Sequence, residues 1–142
     1  MSWQQELNQK RLKTKGWYGC IAPDGWKNIV EDLDRQLSYL DPDYEIHQVK
    51  EKFGTLRYYY GTSVENDTVR EIMDAVVGHA EMLSARVCDT CGNSSYTQRS
   101  AWGNKFDSSA VMKETLGGGW IRVICDSCDT EGRYKVLERD ED

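Results

Sequence analysis

The sequence predicts an α+β fold with two main helices, a β-hairpin between them and a C-terminal module built on four cysteines. Three observations predict it: apolar residues at helical spacing in two segments, an intervening run rich in aromatic and β-branched residues, and two C-x2-C pairs. The chain has 142 residues, which is the length of one domain or of a small domain with an appended module.

The N-terminal segment 1–23 is expected to be a polar, partly basic lead-in, whose basic run lies within residues 10–15. Asp24 then has the side chain and the position expected of a helix N-cap. Apolar residues follow at helical spacing as far as Leu40, which predicts the first main helix. That helix is expected to end before Pro42, because the residue before a proline is pushed out of the α region.

Residues 44–62 predict a β-hairpin, because they are rich in β-branched and aromatic residues and are broken by one glycine. Gly54 would supply a backbone conformation at the turn that other residues resist. Ile46 and Val49 lie three residues apart, which interrupts strict alternation. We therefore expect either a β-bulge in the first strand or burial on both of its faces.

Residues 64–87 predict the second main helix, with Asp67 or Ser63 as its cap. A single apolar stripe is typical of a helix packed on a sheet, with a coiled-coil seam as the alternative. The stripe consists of Val69, Ile72, Met73, Val76, Ala80, Leu83 and Val87.

No linker separates this helix from the first cysteine, so the helix–hairpin–helix part, 24–87, and the cysteine module, 88–137, are expected to share one core. Within the module, residues 103–116 are expected to form an exposed excursion. The run "GGGWIRVI" at 117–124 predicts a strand that follows a flexible turn. Residues 138–142 form an acidic tail.

The four cysteines of the module have the form C-x2-C, 33 residues, C-x2-C, and they are Cys88, Cys91, Cys125 and Cys128. A tight turn with two residues between thiols aims both sulfurs at one point, and two such knuckles make a tetrahedral all-sulfur site, which zinc prefers. The module is therefore predicted to be a zinc ribbon, or a treble-clef-like pair of knuckles, that holds Zn²⁺. An iron site accepts the same thiolates and stays an alternative. Cys20 is expected to be a packed or free thiol.

Four thiolates leave no open coordination position, so the site is predicted to be structural and the protein not to be an enzyme. HNH-type endonucleases, which also use paired knuckles, need histidines between them, and residues 92–124 contain none. A zinc deaminase needs an H-x-E signature, which His79 and Glu81 match formally, but the second cysteine pair would then be surplus. No phosphate-binding loop or nucleophile elbow occurs.

The predicted hairpin carries the candidate partner-binding residues, because cations beside aromatic rings can hold phosphates or stack on bases. They are Lys50, Lys52, Arg57 and Tyr59. Two observations oppose this reading: glutamates dilute the charge, and aromatic residues in strands commonly belong to the core. An ordinary solvated face is the alternative.

Net charge and the N-terminal sequence indicate a cytoplasmic protein. The formal net charge of −6 argues against general coating of nucleic acid and permits docking on a basic partner. The N-terminus is polar and lacks the apolar core of a signal peptide, and no apolar run is long enough for a membrane span. Cysteines in a reducing compartment indicate metal ligands or free thiols sooner than disulfides.

The chain resembles a loosely defined set of small bacteriophage and prophage proteins. The resemblance rests on "QVKEKFGTLRYYY" at 48–60, the helix that ends in "AEMLSARVCDTCG", and "GGWIRVICDSC", and it covers residues 24–130. Members of the set combine a leading helix, a K-E-K-F-G-x-L-R-aromatic hairpin, a second helix and a C-terminal zinc ribbon. The set has no assigned activity, so the resemblance implies a phage-encoded accessory protein of the bacterial cytoplasm. Relative to that set, 103–116 looks like an insertion.

The first functional hypothesis is a non-enzymatic, zinc-stabilised accessory protein that binds and modulates, by inhibition, a host or defence-system protein. The first alternative is a zinc-ribbon protein that binds nucleic acid in transcription or genome handling, through the hairpin cations or through the basic run from Lys10 to Lys15. Steep salt dependence of binding would be its signature. The second is an enzyme of unrecognised type. The partner is thus expected to be a host or phage protein or a nucleic acid, and the sequence does not define an oligomeric state.

Overall fold

The computed structural model describes residues 1–97 and 105–137 and confirms the α+β prediction. Its elements in chain order are α1 (Trp3–Arg11), β1 (Gly19–Cys20), a 3-10 turn (Asp24–Trp26), α2 (Lys27–Leu40), β2 (Glu45–Lys52), β3 (Thr55–Gly61), α3 (Asp67–Ser84), β4 (Val111–Thr115), β5 (Ile121–Ile124) and β6 (Tyr134–Val136). No helix in the described residues is both long enough and apolar enough to cross a membrane.

The predicted hairpin forms the larger part of the first sheet, whose strand order is β1-β2-β3. β2 and β3 are antiparallel, and β1 lies parallel to β2 on the other side. The register shifts between Ile46 and Gln48, so the first of the two expected alternatives, a β-bulge, is the one that the structure has. Phe53 and Gly54 form the two-residue turn with φ of 53° and 87°, the pattern of a type I′ turn.

The core lies on one face of this sheet, where α2 and α3 pack. Alternation along β2 and β3 sends one set of side chains toward the helices, and Trp26 and Tyr44 add the largest fully buried rings. The fully or almost fully buried apolar residues contributed by α2 and the hairpin are Ile29, Val30, Leu33, Leu37, Ile46, Val49, Leu56 and Tyr58.

The N-terminal segment differs from the expected polar lead-in, because residues 3–11 form α1 and pack on the core. Ser2 caps the helix and exchanges hydrogen bonds with Gln5 in a capping box. Leu7 is buried, and the Arg11 guanidinium contacts Asp34 of α2 at 2.8 Å. One buried leucine in a polar helix gives too weak an apolar stripe for sequence periodicity to detect.

The predicted helix caps were wrong. Asp24 opens the 3-10 turn, and its carboxylate accepts hydrogen bonds from Trp3 and Gln4 of α1. Asn66, which accepts from the backbone N–H of Val69, caps α3. The helix therefore begins at residue 67 rather than 64 and ends at 84.

The predicted stripe of α3 is correct in part. Met73 and Ala80 are buried, whereas Ile72 is 44% exposed. Val77 and Ser84, which the stripe omitted, belong to the buried face. The packed face of the helix is therefore rotated relative to the one that apolarity alone indicates.

Side chains of α3 satisfy backbone groups at the edge of the first sheet. The Ser84 hydroxyl accepts a hydrogen bond from the Leu56 N–H at 2.8 Å, and the Glu81 carboxylate accepts one from the Tyr58 N–H at 3.0 Å. Unpaired strand edges invite pairing with other chains. Glu81 thus helps to close the edge that β3 would otherwise expose.

The second sheet, with order β5-β4-β6, is built by the cysteine module. Residues 103 and 104 of the expected excursion at 103–116 lie outside the described residues. The rest of that segment is not an exposed excursion, because it contains β4, the central strand of the second sheet. Lys113 in β4 is buried, which hides the strand from an apolarity pattern. The strand predicted within 117–124 is confirmed as β5. The acidic tail, 138–142, lies outside the described residues.

The two parts of the chain are joined by direct contacts. The Trp26 indole N–H donates to the carbonyl oxygen of Val87 at 2.9 Å, within the core. A Cβ on Gly54 would lie 2.8 Å from Cγ2 of Ile121, so the hairpin turn also touches β5. The cysteine module therefore packs on the first part. It nevertheless has its own small cluster of buried residues around Cys88 and Cys125, so the expectation of one shared core is wrong.

Candidate metal centre

The first knuckle begins where α3 ends. The Cys88 N–H donates a hydrogen bond to the Asn93 carbonyl oxygen, and the Gly92 N–H donates one to the Cys88 carbonyl oxygen. Together these two hydrogen bonds close a tight turn around Cys91. Gly92 has φ of 83°, a conformation that favours glycine. The Asn93 N–H points at the sulfur of Cys91 at 3.4 Å. This backbone geometry turns the two thiols of the pair toward one side.

The second knuckle follows β5 directly. The N–H groups of Cys128 and Asp129 both donate to the Cys125 carbonyl at 3.1 Å, so the chain turns immediately after the strand. The Cys125 N–H points at the sulfur of Cys88 at 3.4 Å, which links the two knuckles. β5 thereby delivers the second pair of thiols to the first.

The structure brings all four predicted cysteines together. Their sulfur atoms lie within 4.8 Å of one another, and those of Cys91 and Cys125 are 3.7 Å apart. Cys88 and Cys125 are buried, Cys128 is half-buried and Cys91 is exposed. Across residues 1–97 and 105–137, this is the one group of three or more His, Cys, Asp or Glu side chains with the geometry to hold a metal ion.

The thiols of the cluster differ in the direction in which their pKa values are shifted. Burial would raise the pKa of Cys88, but backbone N–H groups of the two knuckles hydrogen-bond its sulfur and together lower the pKa below its usual value. Burial raises the pKa of Cys125 to about 11, and burial with hydrogen bonds to neighbouring thiols raises that of Cys128 further. Four crowded thiols resist losing all their protons together, and a cation at their centre supplies the charge that makes this favourable.

An ion pair with one buried partner braces each knuckle. The Arg122 guanidinium of β5 donates to both carboxylate oxygens of Asp89 at 2.7 and 2.9 Å, and Asp89 is buried next to Cys88. The Lys113 ammonium donates to the Ile124 carbonyl and, at 2.8 Å, to Asp126. Each pair joins a strand of the second sheet to one knuckle.

These charged residues were missed at the sequence level. Their spacing in the chain follows no metal-ligand pattern. Lys113 lies in the mixed run "VMKET" and Arg122 in the apolar run "WIRVI", and neither run contains the acidic partner of its cation. Only the flank of the knuckles, where Asp89 and Asp126 each follow a cysteine directly, could have drawn attention to them.

The predicted partner-binding residues of the hairpin lie together on one face. Cross-strand pairs on that face are Gln48–Tyr59, Lys50–Arg57 and Lys52–Thr55, and these six residues are called the open face below. Alternation places them opposite the core, because Val49–Tyr58 between them is buried.

Two other residues singled out in the sequence have structural surroundings. Cys20 is buried in β1, which agrees with a packed thiol, and burial raises its pKa to about 11. His79 is exposed on α3, while Glu81 two residues later accepts a hydrogen bond from the first sheet. The two side chains of the formal H-x-E match therefore do not share a site.

Comparison with protein-family models, with curated proteins and with solved structures returned no match. The cysteine cluster and the open face are the two features of the described residues that bear on function.

Proposed function

We propose that the cysteine cluster holds one structural Zn²⁺. Four metal–sulfur bonds of about 2.3 Å arranged as a tetrahedron give sulfur–sulfur edges of about 3.8 Å. The 3.7 Å separation of the Cys91 and Cys125 sulfurs fits that edge. All-thiolate donor sets suit zinc or iron, and zinc has no redox chemistry that would disturb a purely structural role. Cys88, Cys91, Cys125 and Cys128 would fill every coordination position.

The protein then acts as a non-enzymatic binding protein. The observation that carries this function is the convergence of four cysteine sulfurs, which would close the coordination sphere of a metal, beside an open face whose cations form no ion pair within the described residues. A closed coordination sphere stabilises a fold and offers no position for a substrate. Surface residues that neither pack nor pair are the ones available to a partner.

In the setting that the sequence resemblance implies, the protein is a phage-type accessory protein of the bacterial cytoplasm. Its partner is a host or phage macromolecule. A host or defence-system protein, bound and inhibited, is the first hypothesis, and a nucleic acid is the second. Both hypotheses place the partner on the open face, at Lys50, Lys52, Arg57 and Tyr59.

A capture experiment with three baits tests this function. The baits are the zinc-loaded protein, its open-face variant Lys50→Gln/Arg57→Gln, and a control variant Lys27→Gln/Arg35→Gln. The control removes two exposed cations of α2, so both variants have the same net charge. Each bait is incubated with bacterial lysate, with and without nuclease. We expect a specific partner on the first and third baits that is absent from the second.

Nuclease treatment distinguishes a protein partner from a nucleic-acid partner. A protein retained after nuclease treatment supports the first hypothesis, and a partner released by it supports the second. If the three baits retain the same molecules, or none, the open face is not a binding surface and the proposed function is wrong.

A further inference from the structure

We infer that the open face binds a single strand of nucleic acid, RNA or DNA. This inference rests on the proposed function in one respect, since it takes the open face as the binding surface and names the chemistry of what lies there. Three features of the face favour this ligand: its charge, its aromatic residues and the conformation of the hairpin turn.

The six residues of the open face carry only positive charge, and the nearest carboxylate beyond them along β2 is that of Glu45, which contacts His47 at 3.2 Å. None of the three cross-strand pairs contains an acidic residue. Lys50, Lys52 and Arg57 have no ion pair with any other described residue, although the chain as a whole carries a net charge of −6. Glu51 lies on the other face, near Asp89 and Arg122. Three cations without an ion pair, gathered on one face of an otherwise acidic protein, are complementary to a polyanion.

Aromatic rings accompany the cations along the strands. Tyr59 is 45% exposed in the pair next to Lys50–Arg57. Beyond it, the exposed Trp17 stacks on His47 at 4.2 Å between ring centres, and His47 lies against Gly61 at the end of β3. Bases stack on such rings whatever their identity.

The hairpin turn supplies an independent observation. Phe53 has φ of 53°, a conformation that aromatic residues rarely adopt and that asparagine or aspartate with glycine would fill at lower cost. Its ring is 67% exposed, and the Lys52 ammonium lies 5.6 Å from the ring centre. An exposed ring held at an unfavourable backbone position indicates a role outside the fold. It continues the series of rings and cations past the end of the strands.

This arrangement favours a single strand over a duplex or an acidic peptide. Bases of a duplex are stacked on one another and cannot reach the rings, while a peptide of aspartate or glutamate has no aromatic face to stack on them. A single strand offers phosphates to the cations and free base faces to Tyr59, Trp17 and Phe53 together.

Binding of fluorescent oligonucleotides to the zinc-loaded protein tests the inference. The probes are 20-mers of thymidine and of uridine, with a duplex of the same length and polyglutamate as competitors. We expect the logarithm of the affinity for the single strands to fall with the logarithm of salt with a slope of about −2, since three cations each contribute about −0.7. Equal affinity for the thymidine and the uridine 20-mers would mean that the protein does not distinguish DNA from RNA. A preference for one of them would identify which nucleic acid is the natural ligand, and either result supports the inference.

Variants separate charge from stacking. Lys50→Gln/Arg57→Gln is expected to lower affinity by roughly tenfold or more and to reduce the salt slope by about 1.4, whereas the control Lys27→Gln/Arg35→Gln changes neither. Tyr59→Thr, which keeps β propensity, is expected to weaken binding by roughly fivefold to a hundredfold without altering the slope, and Tyr59→Phe restores it.

Three results would overturn the inference. The first is no binding of single strands at low salt, and the second is an equal loss of affinity in the control variant. The third is that polyglutamate competes as well as the single strands do and that Tyr59→Thr leaves the affinity unchanged. If the lysate experiment nevertheless yields a nuclease-resistant protein at the open face, the proposed function survives while the nucleic-acid inference fails. Failure of both experiments removes the open face as a binding surface.

Discussion

Gly25 and Asp89 are joined backbone to backbone, because the N–H of Gly25 donates to the carbonyl oxygen of Asp89 at 2.9 Å. The contact places the 3-10 turn directly under the first cysteine knuckle. A Cβ on Gly25 would lie 2.1 Å from the Cys88 carbonyl oxygen and 2.4 Å from the Asp89 carbonyl carbon. Those neighbours are backbone atoms, which cannot rotate aside. Glycine is therefore required where the first part of the protein meets the metal centre.

Gly25→Ala is expected to destabilise the protein by about 3 kcal/mol or more, because an added methyl group must push apart two backbone segments. Chemical denaturation of the zinc-loaded protein measures this. Gly78→Ala is the matched control: Gly78 lies in α3 and a Cβ there meets nothing within 4 Å. That substitution should stabilise by about 0.5–1 kcal/mol through helix propensity. Equal effects at the two positions would contradict the close approach.

The elements that the sequence predicts well are those coded by local periodicity or by ligand spacing. The hairpin follows from residues 44–62, and even its bulge follows from the offset of Ile46 and Val49. The cysteine cluster follows from two matched C-x2-C pairs, because few other arrangements explain them. In each case the information lies within a few residues.

The elements that it misses depend on contacts between distant residues. Helix α1 is held by Arg11 to Asp34, 23 residues away, and by the Asn8 side chain to the backbone N–H of Cys20. Lys113 of β4 is buried although a lysine is ordinarily expected at the surface. Its ammonium group is satisfied there by hydrogen bonds to Asp126 and to the Ile124 carbonyl oxygen. Neither partner is visible to a pattern read along the chain. Tertiary contacts override local preference at these positions.

Removal of the metal is expected to unfold the cysteine module. Cys88→Ser should abolish stoichiometric metal binding and lower the melting temperature, because a closed site of this kind contributes an apparent ~10–16 kcal/mol on binding and that energy is available for folding. A strong chelator should have the same effect on the unaltered protein. Elemental analysis and thermal denaturation measure both, and substitution with cobalt reports tetrahedral thiolate ligation by its absorption.

Cys20→Ala is the control for the metal experiment, since Cys20 lies in β1 outside the cluster. It should retain one metal ion per chain while losing some packing energy. Metal content that fell equally in both variants, or a melting temperature indifferent to chelation, would count against a structural ion.

Arg11→Ala is expected to destabilise the protein by about 3 kcal/mol, because it leaves the buried Asp34 carboxylate without its closest cation. Asp34 also accepts from the Tyr44 hydroxyl at 2.5 Å, and the Arg11 guanidinium lies over the Tyr44 ring. Arg35→Ala provides the comparison: its ion pair with Asp32 is largely exposed, so the cost should be about 0.5 kcal/mol or less. Denaturation curves of the two variants at neutral pH decide this, and similar costs would mean that α1 is not anchored by its arginine.

Alkaline pH should weaken the fold partly through Cys20, whose pKa burial raises from 9.0 to about 11. A folded-state pKa above the unfolded value means that the unfolded chain loses the proton first. The stabilisation from the neutral thiol is therefore complete below about pH 9 and is lost as pH rises toward 11, by an amount of about 2–3 kcal/mol.

The buried Tyr44 and Tyr58, whose pKa values are also raised by burial, extend the loss of stability to higher pH. Cys20→Ala isolates the thiol, because its free energy of unfolding should fall less than that of the unaltered protein between pH 8.5 and 10.5, values on either side of the ordinary thiol pKa of about 9. Parallel pH profiles of the two proteins would show that Cys20 titrates normally and is not held in the core.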